Sequence, residues 1–276
     1  MKGAVYDGPR DIRIEDLAEP EPGPGEVLIE VARNGICGSD LHTYVGSSTG
    51  GASMHVPGVV LGHEFAEVVR KVGTGVGDLA VGTAVAVAPI EYCGNCGNCG
   101  NCWPCAHAWP HMCRRLALYG GYRRPLHGGL APLVRVSRRS AFTVPDGLNA
   151  VDAALTEPLA VALHAVSRAP QTLGATVLVL GAGTIGLGVL QAVIAGGAAV
   201  TIVTDLSSAR RCAATKMRAT AVLDPVADDL RSVVRELTGH GVDLVFDTTA
   251  SHSAFSQEIV ALQPRGTLIS VAGLQE

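Results

Sequence analysis

The chain has 276 residues, 47% apolar and 17% charged, with a formal net charge of −4. That length suits about two domains, and the apolar content supports buried cores rather than disorder. The mild acidity and an aromatic content of 4% argue against the basic, base-stacking surface of a nucleic-acid binder.

The opening MKGAVYDGPRDIRIED (1–16) alternates apolar and charged residues and lacks the apolar core of a signal peptide. No apolar run reaches the ~18 residues of a membrane-spanning helix, because Gly, Asp or Arg interrupts each candidate. The chain reads as cytoplasmic, with neither nucleic acid nor membrane as partner. Short β-branched runs at 25–32, 65–73, 83–89 and 132–137 are separated by Gly and Pro, which predicts an irregular β-rich domain over residues 1–150.

Within that stretch two groups of metal-ligating side chains stand out. Cys37 lies in GICGSDLH (35–42), His63 and Glu64 in GHEF (62–65), and Glu157 follows in TEPLA (156–160). One sulfur, one imidazole and one or two carboxylates make a mixed ligand set with room for water or substrate, as a catalytic zinc requires. The same residues also suit a packed core cysteine and a hydrogen-bonded histidine, and spacing alone leaves both readings open.

The second group is denser: of eight cysteines, six lie between Cys93 and Cys113, spaced two residues apart until the last gap. In a reducing compartment such a run favours a metal over disulfides. Cys99, Cys102, Cys105 and Cys113 would close a four-sulfur structural zinc site with no open position. The triplet reiteration CGNCGNCGNC (93–102) also offers Cys93 and Cys96, so the register stays open by one or two triplets. An iron–sulfur cluster suits the ligand type, but nothing else points to electron transfer.

A helical stretch over 151–169 leads into a second domain, residues 151–276. Apolar strands at 176–180, 199–204, 221–223, 242–246 and 267–272 alternate with helices of about a dozen residues. That rhythm predicts a parallel, doubly wound sheet. The first strand runs into Gly181-Ala182-Gly183-Thr184-Ile185-Gly186, and Asp205 ends the next strand. Three glycines for turn, backbone approach and packing, followed by an acid about 20 residues on, form a dinucleotide fingerprint. The helix N-terminus offers N–H groups and a positive dipole end to phosphates. Asp205 would accept hydrogen bonds from ribose hydroxyls and repel a 2′-phosphate, which favours NAD over NADP. It would otherwise be a helix N-cap in Asp-Leu-Ser-Ser. Arg210 suits either stacking on adenine or a solvated helix face.

Taken in order, GICGSDLH, LGHE, the cysteine loop, EPLAVALHAV, VLVLGAGTIGLG and VTDLS resemble the zinc-dependent medium-chain alcohol and polyol dehydrogenases. The sorbitol, threonine and 2,3-butanediol dehydrogenase-like branch is nearest, and the resemblance spans essentially the whole chain. It implies a GroES-like catalytic domain joined to a Rossmann NAD-binding domain, with the active site in the cleft between them. It implies a catalytic zinc on Cys37 and His63, with Glu64 and Glu157 at carboxylate positions that bind the metal or exchange with water. It also implies a proton relay through Ser39 and His42, and a homodimer or tetramer.

The sequence departs from the family's pattern in three places. The cysteine loop carries an insertion, Gly82-Thr83 stands for the usual Gly-Asp, and GGLAPL (128–133) puts Pro132 in a strand region. Relatives also continue several tens of residues past Gly273, adding a sixth strand. The expectation is therefore a Rossmann sheet incomplete at its C-terminal edge. The alternative to an active dehydrogenase is a truncated, non-catalytic relative that binds zinc and possibly NAD.

Overall fold

The computed structural model describes residues 1–46, 55–94, 102–149, 151–249, 251 and 259–272. They divide into two compact units, Met1–Glu157 and Pro158–Glu276, a break seven residues beyond the expected boundary at residue 150.

The first unit is β-rich. Its strands in chain order are β1 (Lys2–Gly8), β2 (Asp11–Asp16) and β3 (Glu26–Asn34), then, after helix α1 (Gly38–Val45), β4 (Val59–Val60), β5 (Phe65–Val72), β6 (Ala84–Val87) and β7 (Ile90–Glu91). A four-residue helix α2 (Trp103–Ala106) precedes β8 (Ala117–Leu118), β9 (Leu133–Ser137) and β10 (Ala141–Thr143). The main sheet has the order β10-β6-β5-β3-β9 and is antiparallel throughout. Alternation sends Val27, Ile29, Phe65, Val69, Val85, Val134 and Val136 to one buried core, as the two-residue period of a strand requires. β1 and β2, which the sequence reading did not mark as strands, form a hairpin that joins β4 in a three-stranded sheet. Pro132 falls just before β9, where its missing N–H costs nothing and its carbonyl still accepts from Val31 N–H at 2.8 Å.

The second unit contains most of α3 (Thr156–Ser167), then β11 (Thr176–Leu180), α4 (Thr184–Ala195), β12 (Val200–Thr204), α5 (Ser208–Lys216), β13 (Ala221–Leu223), α6 (Leu230–Thr238), β14 (Val242–Asp247) and β15 (Leu262–Ser270). The strands are parallel, in the order β13-β12-β11-β14-β15. That is the doubly wound order in which the direction of strand addition reverses between the first and fourth strands of the unit, the usual place for a ligand. Two cores cover the two faces. Val177, Val179 and Phe246 pack with Val189, Leu190 and Val193 of α4, whereas Leu178, Leu180, Ile202 and Val245 pack with Leu230 and Val234 of α6. Burial on both sides explains why these strands read as unbroken apolar runs. β15 starts five residues earlier than the sequence suggested. Its pairing with β14 shifts register between Val242 and Leu244, with Arg265 held at φ +70°.

Candidate functional site

The first cluster is assembled by strand register. β3 pairs with β5 so that Asn34 lies opposite Phe65, with a bulge between Val31 and Arg33. The segment that follows β3, carrying Cys37, is thereby laid beside the segment that precedes β5, carrying His63 and Glu64. Gly35 N–H donates to the Glu64 carbonyl at 2.7 Å. Gly35 also has a steric role, because a Cβ there would stand 2.0 Å from a Glu64 carboxylate oxygen. Candidate ligand atoms of Cys37, His63 and Glu64 all lie within 4.8 Å of one another, and His63 and Glu64 are buried.

Asp40 completes the surroundings and was missed from sequence. Cys37 is the N-cap of α1, and its N–H donates to Asp40 Oδ2 at 3.0 Å. This is the reciprocal capping arrangement of a helix start, and the acid three residues into GSDLH was its legible signal. The other oxygen, Oδ1, lies 3.7 Å from His63 Nδ1 and has no hydrogen-bond partner. With Nδ1 turned to Asp40, Nε2 remains as the metal donor, the usual carboxylate–histidine–metal arrangement. Burial lowers the His63 pKa, but the Cys37 thiol, Asp40 and Glu157 outweigh it and raise the imidazole to about 9. Burial likewise holds Glu64 and Glu157 above the ordinary carboxylate range, with His63 pulling both the other way. Glu157 stands outside the tight trio but within electrostatic reach of His63, Glu64 and Asp40. Three acidic groups around one thiol and one imidazole suit a divalent cation, and this donor set suits zinc.

Ser39 and His42 both lie on α1, in the turn and a half that follows Cys37. Three residues apart, they share a helix face. Ser39 is exposed and His42 half-buried. The far end of the helix is pinned by a 2.9 Å hydrogen bond between Thr43 Oγ1 and His55 Nδ1.

The second cluster brings Cys93, Cys102, Cys105 and Cys113 within 4.8 Å. Cys102, Cys105 and Cys113 were expected there; Cys99 and Cys96 lie outside the described residues, and Cys93 supplies the fourth sulfur. Two sulfur pairs are 3.5 and 3.8 Å apart, close to the ~3.8 Å edge of a tetrahedron of sulfurs around zinc at 2.3 Å. No disulfide joins the described cysteines. Cys113 Sγ accepts from the N–H groups of Cys93 and Arg115. Burial and then the neighbouring sulfurs push the Cys105 thiol up to about 12. Four crowded sulfurs resist joint ionisation, and a divalent cation removes that obstacle. Glu91 anchors the lobe to the sheet, accepting from Tyr119 Oη at 2.6 Å and Arg139 Nη2 at 2.7 Å. Arg139 also donates to the Tyr92 carbonyl beside Cys93.

The third site belongs to the second unit. Gly181, at φ +91°, makes the turn after β11. Gly183, the N-cap of α4, has nothing within 4 Å of a would-be Cβ, whereas a Cβ on Gly186 would stand 1.9 Å from the Gly181 carbonyl. Turn, open approach and close packing are thus divided among three glycines, the division a pyrophosphate cradle needs. Thr184 and Ile185 begin α4, with Thr184 exposed. Asp205 is buried; Oδ2 accepts from Ala182 N–H at 2.8 Å and Oδ1 from Ser207 N–H at 2.7 Å. The N-cap of α5 is Ser207, so Asp205 is not itself the cap. Arg210 is exposed, 3.8 Å from Asp205 Oδ2. Thr248, missed from sequence, closes the loop by donating to the Leu180 carbonyl at 2.7 Å.

Two measurements test these assignments. Asp40→Asn keeps an acceptor for the Cys37 N–H but loses the charge facing His63, and should weaken zinc at that site by about 10- to 100-fold in chelator competition; unchanged affinity would contradict the role given to Asp40. Cys93→Ser should remove one zinc per chain while Cys99→Ser leaves the content unchanged, and the reverse pattern would shift the register by two triplets.

Comparison with known proteins agrees with this geometry. Residues 23–146 match the alcohol dehydrogenase GroES-like domain and residues 184–276 the zinc-binding dehydrogenase family. The chain is 34% identical to sorbitol dehydrogenase of Bacillus subtilis (strain 168) over 275 residues, covering 99% of this chain and 75% of that protein. It is 35% identical to (R,R)-butanediol dehydrogenase of the same organism over 280 residues, covering 99% and 77%. Among solved structures, a zinc-binding dehydrogenase from Sinorhizobium meliloti 1021 bound to NADP superposes with a TM-score of 0.88 at 32% identity, covering all of this chain and 77% of that one. The chain belongs to the zinc-dependent medium-chain alcohol and polyol dehydrogenases.

Proposed function

We propose that this dehydrogenase oxidises a secondary alcohol or polyol of the sorbitol or 2,3-butanediol type with NAD, using the Cys37–His63–Glu64 group as its catalytic zinc site. The convergence of those three donors within 4.8 Å of one another is the observation that carries the reading, and the substrate class is supported by likeness to the sorbitol and butanediol dehydrogenases. When bound, zinc supplies a Lewis acid that lowers the pKa of an alcohol oxygen, and the nicotinamide supplies the hydride acceptor.

The chain's own residues then have separate tasks. Cys37, His63 and Glu64 hold the metal, with Glu157 close enough to complete or exchange with its ligands. Ser39 Oγ would take the proton released by the alcohol, and His42 would pass it toward solvent. Gly181, Gly183 and Gly186, with Thr184 and Ile185, would cradle the pyrophosphate, with Asp205 accepting the ribose hydroxyls and Arg210 covering the adenine. Cys93, Cys102, Cys105 and Cys113 hold a structural zinc.

The need for reduced thiols at both sites supports a cytoplasmic location. No helix among the described residues is long and apolar enough to cross a membrane. A homodimer or tetramer is the proposed assembly.

The test is NADH formation with sorbitol, 2,3-butanediol and threonine, alongside zinc analysis. Two zinc per chain and turnover on a polyol are expected, with Ser39→Ala lowering kcat by about 10²-fold or more. Two zinc per chain with no turnover on any polyol or simple alcohol would overturn the proposal.

A further inference from the structure

Two arginines stand side by side at the start of α5, and they are treated differently. The Arg210 side chain is 62% exposed. Arg211 is turned inward: Nη1 donates to the Asp205 carbonyl at 2.7 Å and the Leu206 carbonyl at 2.9 Å, and lies 3.1 Å from Asp224 Oδ2. The other oxygen of Asp224 accepts from Val226 N–H at 3.0 Å. One guanidinium nitrogen therefore ties the turn after β12, the first turn of α5 and the end of β13.

That turn carries Asp205, whose two carboxylate oxygens are aimed by backbone N–H groups of Ala182 and Ser207. Removing the latch frees the Asp205 and Leu206 carbonyls and lets the turn move, and the aim of the carboxylate moves with it. The pairing with Asp224 has a second consequence. It neutralises a cation that would otherwise be available to an anionic ligand beside Asp205.

We propose that Arg211 is the positioning residue that makes this site prefer a free ribose 2′-hydroxyl to a 2′-phosphate, an inference that rests on Asp205 being the ribose acceptor. It fixes the repelling carboxylate in place and, through Asp224, withholds its own charge. Because a single nitrogen serves all three acceptors, an ammonium with three donors can replace it.

The experiment titrates the zinc-loaded full chain with NADH and with NADPH by fluorescence, and records the melting temperature of each variant. Arg211→Met should weaken NADH about tenfold, the loss of one charge-assisted latch, while NADPH changes by less than about threefold. Arg211→Lys should restore the NADH affinity. Asp224→Asn, which releases the charge of Arg211 without removing it, should tighten NADPH relative to NADH; it carries the test alone should Arg211→Met fail to fold.

Asp205→Ala serves as the control and should collapse the preference in every case. If it does so while the Arg211 and Asp224 variants shift both dinucleotides equally, or alter only the melting temperature, the role of Arg211 is overturned and that of Asp205 stands. If Asp205→Ala leaves the preference unchanged, both are overturned.

Discussion

A thiol, an imidazole and a carboxylate converge within 4.8 Å of one another in the first unit, with Asp40 beside the imidazole and Glu157 within electrostatic reach. Such a collection is costly to gather, because each ionised group loses hydration and the acidic groups repel one another. A divalent cation resolves the conflict by giving the anionic donors a common partner. The framework around the cluster is arranged to accept that cost. The pairing of β3 with β5 fixes where the donors meet, the missing Cβ of Gly35 leaves room for the Glu64 carboxylate, and the capping of α1 by Cys37 and Asp40 sets the approach of the thiol and the orientation of His63.

The same logic recurs at the other two sites. Four sulfurs are held within 4.8 Å of one another by a lobe anchored through Glu91 and Arg139, so the metal finds its ligands already gathered. In the nucleotide loop the conflict is steric rather than electrostatic. Backbone must approach a pyrophosphate and an adjacent strand together, and glycine at 181, 183 and 186 permits both. Each site is thus built by positioning groups that would repel or collide unless the ligand, or the absence of a side chain, relieved them.

The second unit was legible from sequence because both faces of its sheet are buried. TVLVL and VDLVF could only be central strands, and GAGTIG at a strand–helix junction followed by Asp205 left little else for the loop to be. The first unit was less legible. β2 escaped notice because Ile12 and Ile14 are exposed, so it shows no buried apolar face, and in β1 the buried Val5 and Tyr6 are adjacent rather than alternating. The partnership of Cys37 with His63 is set by strand pairing across 26 residues of sequence, which periodicity does not reveal; likeness to a known family supplied it. Asp40 was hidden for another reason: it reads as an ordinary first-turn acid until His63 is placed beside it. The repeated Cys-Gly-Asn triplets are equivalent by spacing, so spacing does not choose among the possible first sulfurs; among the described residues Cys93 is the one gathered with Cys102, Cys105 and Cys113.

The central claim is that Cys37, His63 and Glu64 hold a zinc ion on which alcohol oxidation depends, separate from the zinc of the cysteine lobe. It is tested most directly by measuring zinc content and NADH formation on one preparation of Cys37→Ser beside the unaltered chain. The account predicts two zinc per chain with turnover for the unaltered protein, and one zinc with no turnover for Cys37→Ser. A Cys37→Ser protein that kept both zinc ions, or one that lost a zinc and still oxidised the alcohol, would contradict it.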